Sequence, residues 1–397
     1  MSRIRDLIAQ TKQNRTKFAI FNIVRQLGRA TALEVESKVD SSRPTILKYL
    51  DELAEEGLII ERGQGESPSG RPPKIFSVKA SAAFSVGVDF GAPGLSFALI
   101  DLAKDVVDKM KVPTELEESP SATANRIVEG IRNIADLNGV RLEDQVLAAA
   151  VGVPCPIERH TELVQPISRL PQWENVPLKA VLERELGLPV YVEVGPHLMV
   201  LGEKEFGGEG DISRNMVYIH VREGIGMGAI VDGRLLRGAR EDAGEIGHII
   251  VSPEGPRCIC GRRGCLEAFA SEPAILRRAR ELMKEEDITP TDVFVAARKG
   301  DAVARKVVGE AVDRLAIAIV NVAVLFDPEV VVLGGNIIQG GDFVMERLMD
   351  RLREYRLENL DRGMRLQFSK LGIYAGALGA ANFALERSLD EPQFGGS

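Results

Sequence analysis

The densest chemical signal in this 397-residue chain is His248 followed by a knot of three cysteines, Cys258, Cys260 and Cys265. Imidazole nitrogen and thiolate sulfur are preferred zinc ligands, and one histidine with three cysteines completes a tetrahedral shell. Gly261 and Gly264, inside the knot, let the chain fold tightly around an ion. A shell closed by four protein ligands has no position left for water. The expected Zn2+ is therefore structural rather than a Lewis-acid catalyst. Three of the four cysteines fall within eight residues. That spacing suits metal binding in a reducing compartment, not a disulfide framework.

A second chemistry lies in residues 1–80, which hold 14 Lys and Arg against 10 Asp and Glu, a net charge of +4; the remainder holds 36 against 48, a net −12. A basic head on an acidic body suits nucleic-acid binding by the head alone. The elements that would position it are legible. Lys17–Gly28 reads as a helix with Phe18, Ile20, Phe21, Ile23, Val24 and Leu27 on its apolar face. A second short helix spans Thr31–Val39, and Asp40-Ser41-Ser42 turns and caps a third, Arg43–Glu56, whose expected buried stripe is Ile46, Leu47, Leu50 and Leu53. Pro44 sits in its first turn, where a missing N–H costs little. Two strand-like runs, Leu58–Arg62 and Lys74–Val78, enclose a Gly/Pro/Ser loop. Three helices and a hairpin predict a winged helix-turn-helix with the third helix entering the major groove by its N-terminal end. Arg43, Thr45 and Lys48 lie on the polar side of that end, and Arg71 at the tip of the wing can enter a narrow minor groove.

From residue 81 the pattern becomes α/β. Strands are expected at Ser85–Asp89, Leu95–Asp101, Val146–Val153, Val190–Val194 and Val330–Leu333, and helices at Ser121–Asn138, Leu178–Leu186 and Ala302–Phe326. A further α/β unit is expected over Met216–Val251, and the tail Glu391–Ser397 reads as disordered. The longest apolar run, Leu315–Phe326, is short and contains Asn321, so it reads as a buried helix rather than a membrane span. The polar, charged N-terminus carries no secretory pattern, which predicts a cytoplasmic protein.

Glu245-Ile246-Gly247-His248 followed by the Cys-x-Cys-Gly-x-x-Gly-Cys-Leu-Glu267 run resembles the signature of the ROK family of repressors, open reading frames and kinases. Val151–Pro156, Trp173–Leu178, Gly224–Gly228 and Asp327–Gly335 resemble further family segments in order and spacing, and the resemblance covers nearly the whole chain. It implies an actin-like (ribonuclease H-like) two-lobed sugar kinase fold behind the winged helix domain. The expected divisions are 1–80 for that domain, 81–200 for lobe 1 and 201–397 for lobe 2, with the C-terminal helix returning to lobe 1. It also implies that Glu245 and Glu267 accept hydrogen bonds from a sugar, and that His248 binds zinc through one ring nitrogen and faces sugar with the other. Asn175 is a weaker sugar-contact candidate.

Two features of the family's kinases are missing. The phosphate turn Asp-x-Gly-Gly-Thr is replaced by Asp89-Phe90-Gly91-Ala92-Pro93-Gly94, where Pro93 removes a backbone donor. The Asn-Asp pair that supplies the catalytic base aligns with Val194-Gly195, and losing a general base costs about 10²–10⁴ in rate. Glu193 and His197 are each two residues out of register as substitutes. Arg222 and Glu223 stand where small residues are usual, which suggests either an acidic or phosphorylated effector or an internal ion pair. His160 and His220 carry no usable pattern. The expectation is a homo-oligomeric sugar-responsive regulator, most simply a repressor, that binds double-stranded operator DNA and a sugar or sugar phosphate and has no enzymatic activity. The competing readings are an active ATP-dependent sugar kinase and a repressor whose body only oligomerises.

Overall fold

The computed structural model describes residues 3–64, 72–91, 94–113, 118–158, 160–167, 170–208, 213–241, 243–355 and 363–389. Arg71 of the wing, Ala92 and Pro93 of the Asp89 turn, and the tail Glu391–Ser397 lie outside the described residues.

The chain opens with α1 (Arg3–Gln13), a helix not anticipated from the sequence, which buries Ile4 and Ile8 one turn apart. Asn14 accepts from Lys17 N and starts α2 (Arg15–Leu27), which Gly28 ends at φ +70°. After β1 (Ala30–Thr31), a capping box between Thr31 and Glu34 starts α3 (Ala32–Glu36), shorter than the expected helix. Ser42 caps α4 (Arg43–Glu55). The strands β2 (Ile59–Gln64) and β3 (Lys74–Val78) pair antiparallel, and β1 adds to β3. Phe18, Ile20, Phe21, Val24, Ile46, Leu50 and Leu53 are buried as read, but Leu27 and Leu47 are each 40% exposed. Leu27 is the frayed last residue of its helix, and Leu47 falls between the buried positions 46 and 50.

Two five-stranded sheets form the body. The first, in order β6-β5-β4-β7-β8, contains β4 (Phe84–Gly91), β5 (Gly94–Asp101), β6 (Val106–Val112), β7 (Val146–Val153) and β8 (Val190–Val194). β7 runs parallel to both its neighbours. The helices α5 (Pro120–Leu137) and α7 (Leu178–Leu186) share a core with this sheet, and the short α6 (Leu142–Gln145) leads into β7. The second sheet, in order β11-β10-β9-β12-β13, contains β9 (Met216–Val221), β10 (Ile225–Val231), β11 (Arg234–Leu235), β12 (Val330–Gly335) and β13 (Arg365–Phe368). Its core is completed by α9 (Glu267–Ala270), α10 (Glu272–Met283), α11 (Pro290–Lys299), α12 (Ala302–Phe326) and α13 (Gly341–Tyr355).

Among its described residues the expected α/β unit at Met216–Val251 shows no α-helix but three strands and a 3-10 turn at Ile246–His248. Its glycines serve close approach instead. A Cβ on Gly228 would lie 2.0 Å from the carbonyl oxygen of Pro196, at the start of α8 (Gly195–Phe206). That helix and α14 (Ala375–Leu389) share apolar cores with strands of both sheets and meet at backbone contact: a Cβ on Gly379 would lie 1.8 Å from Leu198 O, and one on Gly202 2.2 Å from Ala375 O. The sequence leads to the expectation of a C-terminal helix, without its bounds, and carries no sign of α8. Gly and Ala make up nearly half of α14, α8 carries Gly195, Gly202 and a central apolar run, and both show little contrast between faces.

The N-terminal elements share one apolar core with the body. Ala98, Ile100, Leu102 and Leu147 of the first sheet, with Leu378, Ala381, Leu385 and Leu389 of α14, belong to the same buried cluster as Phe18, Phe21 and Leu50. No helix among the described residues is long and apolar enough to cross a membrane.

Candidate ligand cleft and metal centre

The four residues expected to hold a metal are brought together. Backbone pairing of Val251 N with Gly264 O (2.9 Å) and Leu266 N with Ile249 O (3.0 Å) sets Cys265 beside the His248 segment. A side chain at Gly264 would lie 1.8 Å from Ser252 O, so only glycine allows this closure. His248 Nδ1 lies 3.7 Å from Cys258 Sγ, Cys260 Sγ lies 3.7 Å from Cys265 Sγ, and all four ligand atoms lie within 4.8 Å of one another. Bonds of about 2.3 Å to a tetrahedral centre put ligand atoms about 3.8 Å apart, so the cluster is dimensioned for such an ion. Burial resists ionisation of Cys260, yet hydrogen bonds with the backbone and side chain of Arg262 outweigh it and bring the thiol down to about 6. Burial pushes Cys265 up to about 12.

A cavity of about 380 Å3 opens beside this centre. Its wall is built from the ends of β4, β7 and β8, the start of α8, the turn between β9 and β10, and the His248 and Cys260 segments. Glu245, His248 and Glu267 all line it, as read from the sequence. Glu267 is buried and accepts from Ile225 N (3.2 Å) through Oε2. Glu245 is exposed, with Oε2 3.8 Å from His248 Nε2. The imidazole thus turns Nδ1 to the cysteines and Nε2 toward the cleft carboxylate, the division of labour expected for it. Asn175 does not join them. It lies exposed in a left-handed turn (φ +53°), its Oδ1 accepting from Gln165 Nε2 at 3.2 Å, and it is not part of the wall.

The floor holds what the sequence could not resolve. Asp89 is buried among glycines: a Cβ on Gly376 would lie 2.5 Å from its Cγ, and ones on Gly152 and Gly195 3.2 and 3.6 Å from its Oδ1. Burial raises its carboxyl to about 6, against the pull of the Arg222 guanidinium. Arg222 crosses from the second sheet, its Nη1 3.4 Å from where a Cβ on Gly91 would stand. Burial and Glu223 raise Glu272 to about 7, again opposed by Arg222. Arg222 is thus set among Asp89, Glu223 and Glu272, which supports the internal ion-pair reading. His220, unassigned from sequence, lines the floor, and burial holds it neutral. Glu241 and Ile259 also line the cavity without any local sequence signal.

Neither proposed substitute base faces the cleft. Glu193 is buried and holds His197 Nδ1 (3.0 Å) and Arg237, and His197 Nε2 sits 3.2 Å from Ala243 O. Burial opposes the Glu193 charge, but His197 and Arg237 prevail and hold its carboxyl below the usual range. The buried Glu193 and His197, with the partly exposed Arg237, brace the start of α8.

In the N-terminal unit, Arg43 and Lys48 are exposed at the start of α4. Lys48 Nζ is 3.7 Å from Glu52 and 5.6 Å from the Tyr49 ring centroid. Thr45 is half-buried, its hydroxyl 2.8 Å from that of the cap Ser42.

The ROK family model matches residues 85–387. A xylose repressor from Caldicellulosiruptor bescii is 29% identical over 377 residues, covering 91% of this chain and 93% of its own. A glucokinase from Thermotoga maritima is 33% identical over 315 residues, covering 76% of this chain and 97% of its own. The crystal structure of a ROK family transcriptional regulator, a homologue of the E. coli MLC protein, superposes with a TM-score of 0.78 at 27% identity over 94% of this chain and 95% of that one.

Proposed function

The chain belongs to the ROK family, and from that membership we propose that it is a sugar-responsive DNA-binding repressor of carbohydrate-utilisation genes whose kinase-like body binds sugar without phosphorylating it. The observation that carries this reading is the continuous core joining the N-terminal helices and hairpin to the elements that floor the cleft. The similarity to a xylose repressor runs through both parts, whereas the similarity to a glucokinase covers nearly all of that enzyme yet only 76% of this chain.

In this reading residues 1–80 form a winged helix-turn-helix. Arg43, Thr45 and Lys48 present α4 to the major groove, and Arg71 serves the minor groove. Two copies in a homodimer read the half-sites of a palindromic operator. Glu245, His248 and Glu267 hold the sugar. His248, Cys258, Cys260 and Cys265 hold a zinc ion whose four protein ligands make it a structural cross-link beneath the sugar site. Reaction with ATP is refused at two places: α8 opens with Gly195 where a base is needed, and Arg222 occupies the space above Gly91.

Charge narrows the effector. Among the described residues, Asp89, Glu223, Glu241, Glu245 and Glu267 line the cleft with the guanidinium of Arg222, and carboxylates accept hydrogen bonds from hydroxyls but repel phosphate. The effector is an uncharged sugar, not the phosphorylated one also considered from the sequence.

The test is fluorescence anisotropy on duplexes from upstream of the protein's own gene, at two salt concentrations, with D-xylose, D-glucose, N-acetyl-D-glucosamine and glucose 6-phosphate. Tight, salt-sensitive binding released by one neutral sugar is expected. Specific binding untouched by every sugar would favour the purely oligomerising body. Sugar-dependent ATP consumption without specific DNA binding would favour the kinase.

A further inference from the structure

The two helices that floor the cleft also reach the N-terminal unit. Both α8 and α14 begin against Asp89, through Gly195 and Gly376. They then meet at backbone contact at Gly202 and Gly379 and pack Leu198 with Ala380 and Ala384 in one apolar cluster. At fifteen residues, α14 spans about 22 Å. At its far end Glu386 receives both terminal nitrogens of Arg25, at 2.7 and 2.9 Å. Arg25 belongs to α2, and its side chain is 8% exposed. Lys104 closes the group, 3.0 Å from Glu386 and 2.9 Å from Glu205 in the last turn of α8. It stands at φ +68° in the turn between β5 and β6, a conformation that residues other than glycine and asparagine seldom adopt. Asp101 Oδ1 holds that turn by accepting from Ala103 N and Asp105 N.

We propose that Arg25, Glu386, Lys104 and Glu205 form the joint through which the state of the cleft sets the orientation of the N-terminal unit. Two helices in backbone contact at their glycines and packed along one apolar seam move as one lever. A shift at the Asp89 end, where ligand enters, becomes a displacement at the Glu205 and Glu386 end. A guanidinium held by two parallel hydrogen bonds passes on direction as well as position. Arg25 lies on the helix that packs with α4 through Phe21, Val24 and Leu50, so displacing it re-aims α4. These are positioning residues: none touches the cleft or the exposed start of α4.

The inference rests on the sugar-responsive repressor reading, and the experiment separates the two. DNA affinity is measured with and without the panel sugar that most raises the melting temperature, in the parent, in Lys104→Met and in the double variant R25M/E386Q. The double variant removes both charges together and strands neither. Sugar should change the parent's DNA affinity by a factor within about 5–150, the usual span of such couplings. In the double variant this factor should fall to about 2 or less, while the sugar-induced melting shift and sugar-free DNA binding persist. Lys104→Met, which leaves the Arg25–Glu386 pair intact, should lower it part of the way. An unchanged factor in both variants overturns the joint and leaves the repressor reading standing. Loss of sugar binding or of sugar-free DNA binding in a folded variant makes the group a structural brace and also overturns it. A parent whose DNA affinity no sugar changes overturns the repressor reading and the joint with it.

Discussion

Asp89 carries its charge at a cost. In the unfolded chain its carboxyl ionises near 3.8, in the fold at about 6. Between those values the unfolded state has released its proton and the folded state has not, so stability falls as pH rises through that window. The difference amounts to about 3 kcal/mol. Asp89→Asn should therefore match the parent below about pH 4 and exceed its stability at pH 7 by up to that amount, read from urea unfolding across the range. A variant that is no more stable at pH 7 would mean that the carboxylate is better compensated than its surroundings indicate. At the metal cluster, Cys265 is fully buried, and its loss opens the tetrahedral shell. Cys265→Ser should bring zinc content well below one ion per chain and lower the melting temperature, as structural zinc contributes directly to folding. Full zinc content in that variant would argue for a different ligand set.

At the scale of elements, the meeting of α8 and α14 depends on glycine. Gly379→Ala places a methyl group 1.8 Å from Leu198 O, and neither backbone can yield without moving a helix. Overpacking of this kind costs roughly 3 kcal/mol. Gly139→Ala is the control: φ is +66° and nothing lies within 4 Å, so only the backbone conformation is penalised, by about 1 kcal/mol. Denaturation midpoints of the two variants check the order, and equal losses would refute tight helix contact. For α4, the proposed function has the exposed Lys48 meet a phosphate. Lys48→Ala should weaken operator and random-sequence DNA alike and reduce the slope of log affinity against log salt by about 1. Loss confined to the operator would make it a base reader instead.

Across the whole molecule, the proposed function makes the acid-rich cleft the receiver of the effector and the continuous core its link to the N-terminal unit. A neutral sugar that binds only the folded state should raise the melting temperature by mass action, with a gain of about 2.7 kcal/mol at a hundredfold excess over Kd. Glucose 6-phosphate should give no shift. A larger shift with the phosphate would show that Arg222 outweighs the five carboxylates that line the cleft with it.

The metal cluster was fully legible in the sequence, because its ligand types are rare and three of them sit within eight residues. So were α2, α4 with its Ser42 cap, and four strands of the first sheet, since local propensity and periodicity agree there with the final packing; α1 and β6 were not. That Glu245, His248 and Glu267 come together at one cavity accords with the family resemblance at those positions. Asn175 does not join them, because its backbone turns it out of the wall. What the tertiary structure alone decided are relations between distant segments. Glu193 and His197 look like replacement bases in sequence but are used up by Arg237 and Ala243 O. Arg222, for which the sequence left both an effector contact and an internal ion pair open, lines the cavity and also lies among Asp89, Glu223 and Glu272. The α8 and α14 helices show little periodic contrast because they are buried nearly all round, and that burial, which hid them, is what connects the cleft to the N-terminal unit. Residue type and spacing reveal chemistry that is local in the chain; charge pairing and helix contact between segments hundreds of residues apart exist only once the fold has formed.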